Sequence, residues 1–220
     1  MKCIEKSDLL LYAVTDRRWL GKNRLYDHVE QAIKGGATFV QLREKKLGER
    51  EFLEEAGEIK ELCSKYDVPF VINDNVDIAV EIDADGVHVG QNDMEASNAR
   101  KKLGRDKILG VSVQTVEQAL DAEKNGADYL GVGAVFSTGS KVDAVDVSLD
   151  TLKDICGAVK IPVIAIGGIS EENVHELSGS GICGVAAISA IFANENVRSA
   201  AERLRKKMEG MIDATVKEVL

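Results

Sequence analysis

The chain has 220 residues, 45% of them hydrophobic and 30% charged, and a formal net charge of −9. That length suits one domain with a large core, and the acidic balance argues against a phosphate-backbone partner, which calls for clustered Lys and Arg. No apolar run approaches the ~20 residues that cross a bilayer.

The start, MKCIEKSDLLLYAV, runs into Thr15-Asp16-Arg17-Arg18 rather than a small-residue cleavage site. It therefore reads as a first strand, not a signal peptide, and a cytoplasmic location is expected. From there β-type and helix-favouring segments alternate. Strands are expected near Leu10–Thr15, Phe39–Arg43, Pro69–Asn73, Gly86–Val89, Ile108–Val113, Tyr129–Val135, Pro162–Gly167 and Gly184–Ser189. Most are near-continuous Val/Ile/Leu/Ala runs, as parallel strands covered on both faces require. Helices are expected over Tyr26–Lys34, Arg50–Tyr66, Met94–Leu103, Val116–Asn125, Leu149–Ala158, Glu171–Leu177 and Val197–Met208. In the second of these, Phe52, Leu53, Ala56, Ile59, Leu62 and Cys63 fall at helical spacing. Gly35-Gly36, Asn125-Gly126 and Gly179 follow helical runs, and Thr115 and Ser148 stand where N-caps belong. The phrases KGGATFVQL, KNGADYLGV and GSGICGVAAI repeat one pattern of helix end, glycine turn and strand. Eight such units predict a single-domain (βα)8 TIM barrel over residues 1–220. An open doubly wound sheet is disfavoured by the lack of GxGxxG after the first strand.

Several strands end in ionisable or glycine-rich residues, which suit a barrel rim where strand C-termini carry chemistry. Gln41, Arg43 and Lys45 alternate at the end of the second strand and share one face. Two cations there can hold phosphate oxygens, Arg as a fork and Lys as a point charge. The ordinary alternative is a charged strand end with Glu44 and Lys46 in solvent. Asn73 and Asp74 end the third strand, and Asp93 follows the fourth. Two carboxylates beside phosphate-binding cations suit Mg²⁺, although either alone could be a helix N-cap. The sixth loop, Phe136-Ser137-Thr138-Gly139-Ser140-Lys141, can wrap an anion or close as a lid. Backbone amides after the last two strands, at Gly167-Gly168 and Ile188-Ser189, match a barrel phosphate site. His28, His88 and His175 form no ligand motif, and His88, mid-strand in GVHVG, is placed in the wall. Cys3, Cys63, Cys156 and Cys183 show no metal spacing and read mainly as buried thiols.

As an ordered set, QLREK, VINDNVDIA, ADGVHVGQND, LGVS, GADYLGVGAVF, TGSK, AIGGI and ISAI resemble the thiamine-phosphate synthase family, from Leu11 to about Phe192. The resemblance implies a transferase joining hydroxymethylpyrimidine diphosphate to thiazole phosphate, with release of pyrophosphate. It implies that Gln41, Leu42, Arg43, Glu44 and Lys45, with Asn73, Ser112 and Lys141, hold the pyrimidine diphosphate. It assigns Asp74 and Asp93 to Mg²⁺, and Thr138, Gly139, Ser140, Gly168, Ile188 and Ser189 to the thiazole phosphate. Arg43, Lys45, Lys141 and Ser112 are the expected catalytic groups. The sixth loop departs from the family pattern, with Ser137 in place of the usual Pro, and a hydroxyl given up at Gly139. A thiazole phosphate isomerase of the same barrel type would leave the Asp pair and the diphosphate cations unexplained. A non-catalytic thiamine-phosphate sensor has no added domain to support it. The partners implied are small molecules, with neither nucleic acid nor membrane, and a homo-oligomer is compatible with them.

Overall fold

A computed structural model describes residues 4–137 and 146–218. Eight parallel strands close into one barrel in sequence order: β1 (Leu11–Val14), β2 (Phe39–Leu42), β3 (Phe70–Asn73), β4 (Gly86–Val89), β5 (Ile108–Val113), β6 (Tyr129–Val132), β7 (Val163–Ile166) and β8 (Gly184–Ala187). All eight expected strands are present, each shorter than or equal to its expected span. The residues trimmed from the C-terminal ends, such as Thr15, Arg43 and Ser189, belong to the rim. Around the barrel run α1 (Leu25–Lys34), α2 (Glu49–Lys65), α3 (Val76–Glu81), α4 (Ala96–Leu103), α5 (Val116–Lys124), α6 (Leu149–Ala158), α7 (Ser189–Phe192) and α8 (Val197–Glu218). The expected helix over Glu171–Leu177 is a 3₁₀ turn at Val174–Leu177, whereas α3 and α7 are additions. Both are too short to show helical periodicity in sequence. None of the described helices is long and apolar enough to cross a membrane.

The strand pleat divides the core in two. Leu11, Ala13, Val40 and Leu42 point outward to meet helix faces such as Phe52, Ala56, Ile59 and Leu62 of α2. Tyr12, Val14, Phe39, Val71, Ile108, Tyr129, Ile164 and Ala186 fill the barrel interior. There Tyr12 packs on Phe39 with ring centroids 4.5 Å apart, and Tyr129 lies 5.9 Å from Tyr12 and 5.8 Å from Phe39. Helix ends follow local chemistry. Thr115 accepts from the backbone N–H of Gln118, Ser148 accepts from that of Thr151, and Gly36, Gly126 and Gly179 take positive φ.

Carboxylates and one arginine brace the N-terminal face of the barrel. Asp85 accepts from the backbone N–H of Phe70 at 2.9 Å, and Asp128 from that of Leu109 at 2.7 Å. Arg100 of α4 donates to the carbonyls of Gly104, Lys107 and Gly126 and to Asp128. With this face satisfied, the opposite rim is left for function.

Strand β8 runs against the segment that leads into β1, so a Cβ at Gly184 would lie 1.8 Å from the Leu9 carbonyl oxygen. Gly184→Ala should therefore lose about 3 kcal/mol through backbone displacement. In α2, Gly57 has open space around its Cβ position, and Gly57→Ala should gain up to about 1 kcal/mol. Urea unfolding checks both; an unchanged midpoint for Gly184→Ala would refute the close approach.

Candidate active site at the barrel rim

The β1–α1 connection locks the rim next to β2. Thr15 is fully buried, and its hydroxyl accepts from the backbone N–H of Arg43 at 2.9 Å. Asp16 accepts from the backbone and guanidinium of Arg18. Burial alone would raise the Asp16 carboxyl, but the Arg18 bonds outweigh it and hold it below the ordinary range. Arg17 bridges two elements, donating to Glu44 at 3.0 Å and to both oxygens of Glu55 on α2 at 2.6 and 2.7 Å.

This brace bears on the ordinary alternative for β2, a charged strand end with Glu44 and Lys46 in solvent. Glu44 is not in solvent; its residue is 9% exposed and its carboxylate is held by Arg17, on the outward side of the strand with Leu42. Gln41 faces the interior, with its amide N–H donating 2.7 Å to the Tyr12 hydroxyl. Lys46 is exposed. Lys45 reaches across to β3 and pairs with Asp74.

Asp74 stands directly after β3 at φ 62°, a left-handed conformation that Asp tolerates better than most residues. Its backbone N–H is held by the His88 carbonyl at 2.8 Å. The N-cap alternative does not apply to either aspartate. Asn75 caps α3 by accepting from Ile78, and Asp93 accepts from the N–H of Gly90 at 2.7 Å within its own loop, two residues before the α4 N-cap Glu95. The carboxyl of Asp93 lies within hydrogen-bond reach of Asp74, with Lys45 beside both. Partial desolvation, followed by the neighbouring Asp74 carboxyl, raises Asp93 above the ordinary carboxylate range. Two carboxylates forced together at an open rim fit a divalent cation with oxygen preference. Among the described residues no group of three or more His, Cys, Asp or Glu could hold a metal ion.

Ser112 lies on the inner face of β5, where its hydroxyl is 2.8 Å from His88 Nε2. Its carbonyl accepts from the Gln91 amide at 2.8 Å, which ties the β4 loop to β5. Asn73, the last residue of β3, pairs in register with His88. Across the barrel, Gly167 and Gly168 follow β7 with φ of 97° and 64°. A Cβ on Gly168 would lie 2.6 Å from the Phe136 and Ser137 carbonyls, so that approach needs glycine. Asn173 secures the turn, donating to the Gly168 carbonyl and accepting from the N–H of Ser170, a support absent from the sequence reading. Ile188 and Ser189 follow β8 and start α7. Thr138, Gly139, Ser140 and Lys141 lie outside the described residues, as does Cys3. Cys63 and Cys183 are buried, whereas Cys156 is only partly so.

Residues 11–191 match the family described as thiamine monophosphate synthase. A thiamine-phosphate synthase of Ruminiclostridium cellulolyticum is 51% identical over 199 residues, covering 90% of this chain and 95% of that protein. Another, from Clostridium tetani, is 52% identical over 197 residues, covering 90% and 94%. The solved structure of thiamine phosphate pyrophosphorylase from Pyrococcus furiosus is similar with a TM-score of 0.87 and 42% identity, covering 94% of this chain and 98% of that one.

The Arg17 brace has a pH signature. Burial raises the Glu44 carboxyl, and Arg17 opposes that rise. Without Arg17 it should climb further above its unfolded value, and such a carboxyl favours folding only while protonated. Arg17→Ala should therefore cost more stability near pH 7 than near pH 4, roughly the unperturbed glutamate range. Denaturant titrations at the two pH values, with equal losses as the contrary result, decide it.

Proposed function

The chain belongs to the thiamine monophosphate synthase family and is by that membership a transferase, and on this premise we propose how its rim performs the condensation. The donor would be hydroxymethylpyrimidine diphosphate and the acceptor thiazole phosphate. The bond from the pyrimidine methylene carbon to the diphosphate oxygen breaks, and its electron pair leaves with pyrophosphate. The electron-rich aminopyrimidine ring stabilises the resulting cation, and the thiazole nitrogen lone pair closes the new C–N bond. No proton needs to be removed at the reacting carbon, so the chemistry asks for no strong general base. The work left to the protein is leaving-group stabilisation and alignment.

The observation that carries this reading is the meeting of Asp74, Asp93 and Lys45 at the ends of adjacent strands. Asp74 and Asp93 would hold Mg²⁺, which when bound neutralises charge on the departing diphosphate. Lys45 would exchange its Asp74 partner for a phosphate oxygen as the substrate arrives. Arg43 and Lys141 would add cations, and Gln41, Leu42, Glu44, Asn73 and Ser112 would line the pyrimidine side. Because the Glu44 side chain is held by Arg17, its contribution there would come from the backbone. Gly168, Ile188 and Ser189, with Thr138, Gly139 and Ser140, would receive the thiazole phosphate. The Asp pair and its cations also favour this reading over an isomerase, which would need neither.

The test is formation of thiamine phosphate and pyrophosphate from the two half-molecules, with Mg²⁺ and then with EDTA. Equal amounts of both products, lost on chelation, are expected. Product formation undiminished by EDTA would remove the metal role, and binding of thiazole phosphate without turnover would remove the synthase assignment. Asp74→Asn and Asp93→Asn keep size and backbone preference while removing charge. Each, like Arg43→Ala, should reduce kcat by about 10²–10³-fold, as expected for lost preorganised stabilisation of developing charge.

A further inference from the structure

Five polar side chains from five strands form one continuous hydrogen-bonded chain across the barrel interior. The amide of Gln41 (β2) donates to the Tyr12 hydroxyl (β1) at 2.7 Å. Tyr12 meets the Tyr129 hydroxyl (β6) at 2.8 Å, Tyr129 meets His88 Nδ1 (β4) at 2.9 Å, and His88 Nε2 meets the Ser112 hydroxyl (β5) at 2.8 Å. Tyr12 and Tyr129 are 0% exposed, Gln41 4% and His88 7%. Burial pushes both phenols well above their usual range, so they stay protonated donors. The space is made by glycine. A Cβ on Gly110 would fall 2.2 Å from Tyr129 Cζ and 2.5 Å from His88 Nδ1, and one on Gly131 3.2 Å from His88 Cε1.

Each hydroxyl has one hydrogen and neutral imidazole has one N–H, so with the Gln41 N–H donating only one arrangement leaves no buried phenol hydrogen without an acceptor. In that arrangement Tyr12 donates to Tyr129, and Tyr129 to His88 Nδ1. The imidazole then carries its proton on Nε2 and donates to Ser112 Oγ, leaving the Ser112 hydrogen for the mouth. In the reverse direction Ser112 would spend its hydrogen on His88 and offer the mouth only lone pairs. Diphosphate oxygens and pyrimidine ring nitrogens are acceptors, so only the first direction lets Ser112 bind either of them.

We propose that Tyr12, Tyr129 and His88 are positioning residues that fix Ser112 as a hydrogen-bond donor to the pyrimidine diphosphate and, from the same chain, fix the orientation of the Gln41 amide. The proposal rests on the reading above that Ser112 and Gln41 face that substrate. It extends the site inward to residues which touch no ligand. The sequence places His88 in the wall, and the chain gives that wall position a task.

The direct test is the tautomer of His88 in the full ¹⁵N-labelled chain, read from long-range ¹H–¹⁵N couplings and assigned by the signal missing from His88→Gln. A neutral ring protonated on Nε2 is expected; protonation on Nδ1 would overturn the direction. The second arm is a double-mutant cycle with Tyr129→Phe and Ser112→Ala, reading kcat/KM for the pyrimidine diphosphate and affinity for pyrophosphate with Mg²⁺. Each single change should cost about tenfold, the scale of one hydrogen bond, and the double variant should be no worse than Ser112→Ala alone. Independent, multiplying losses would mean that Tyr129 serves packing only, and would overturn the relay. Absence of thiamine phosphate formation by the wild-type chain would instead sink the synthase reading. The tautomer and pyrophosphate measurements would still decide the relay.

Discussion

A phenol hydroxyl sealed inside a barrel must find a partner, because burial removes it from bulk water. Tyr12 and Tyr129 fill the interior together with Phe39, and their two hydroxyls satisfy each other. The remaining bonding capacity reaches upward, to Gln41 on one wall and to His88 on another. Packing of the core therefore fixes which polar groups stand at the floor of the mouth. The glycines at 110 and 131 belong to the same solution, since the rings and the imidazole occupy the volume that side chains there would need.

Above that floor the order is electrostatic. The chain as a whole is acidic, yet the rim between β1 and β4 sets cations against carboxylates in short range: Arg17 with Glu44 and Glu55, Arg18 with Asp16, and Lys45 with Asp74. The first two sets are structural, tying the β1–α1 connection down beside β2. Lys45 and Asp74 differ in that the Asp93 carboxyl stands beside them. Local charge balance at the rim, not net charge, sets what can bind there.

The strands were legible because parallel strands buried on both faces leave unbroken apolar runs, and Thr115 and Ser148 were legible as caps because hydroxyls before a helix have one common use. The helix α3 was not, since six residues carry too little periodicity to distinguish them from a loop. The inward face of Gln41 followed from alternation, but the burial of Glu44 did not. Only the three-dimensional placement of Arg17 and α2 shows why a glutamate is buried there. The carboxylates at 74 and 93 could be picked out by position, whereas their proximity depends on the turn at Gly90 and the left-handed backbone at residue 74. The link from Tyr12 through Tyr129 to His88 was out of reach. Residues 117 positions apart meet across the barrel, and no local pattern announces that meeting.

The backbone of Asp74 bears on how this position can change over evolutionary time. At φ 62° only glycine, asparagine and aspartate are accommodated at little cost, whatever the side chain does afterwards. The repertoire open to drift is thus already narrow before any demand for a charge is added. An aspartate retained here across diverging lineages would be doubly constrained, by the shape of the main chain and by the carboxylate itself. Its persistence alone would overstate the strength of selection for chemistry. The informative substitution is asparagine, which keeps the geometry and removes only the charge.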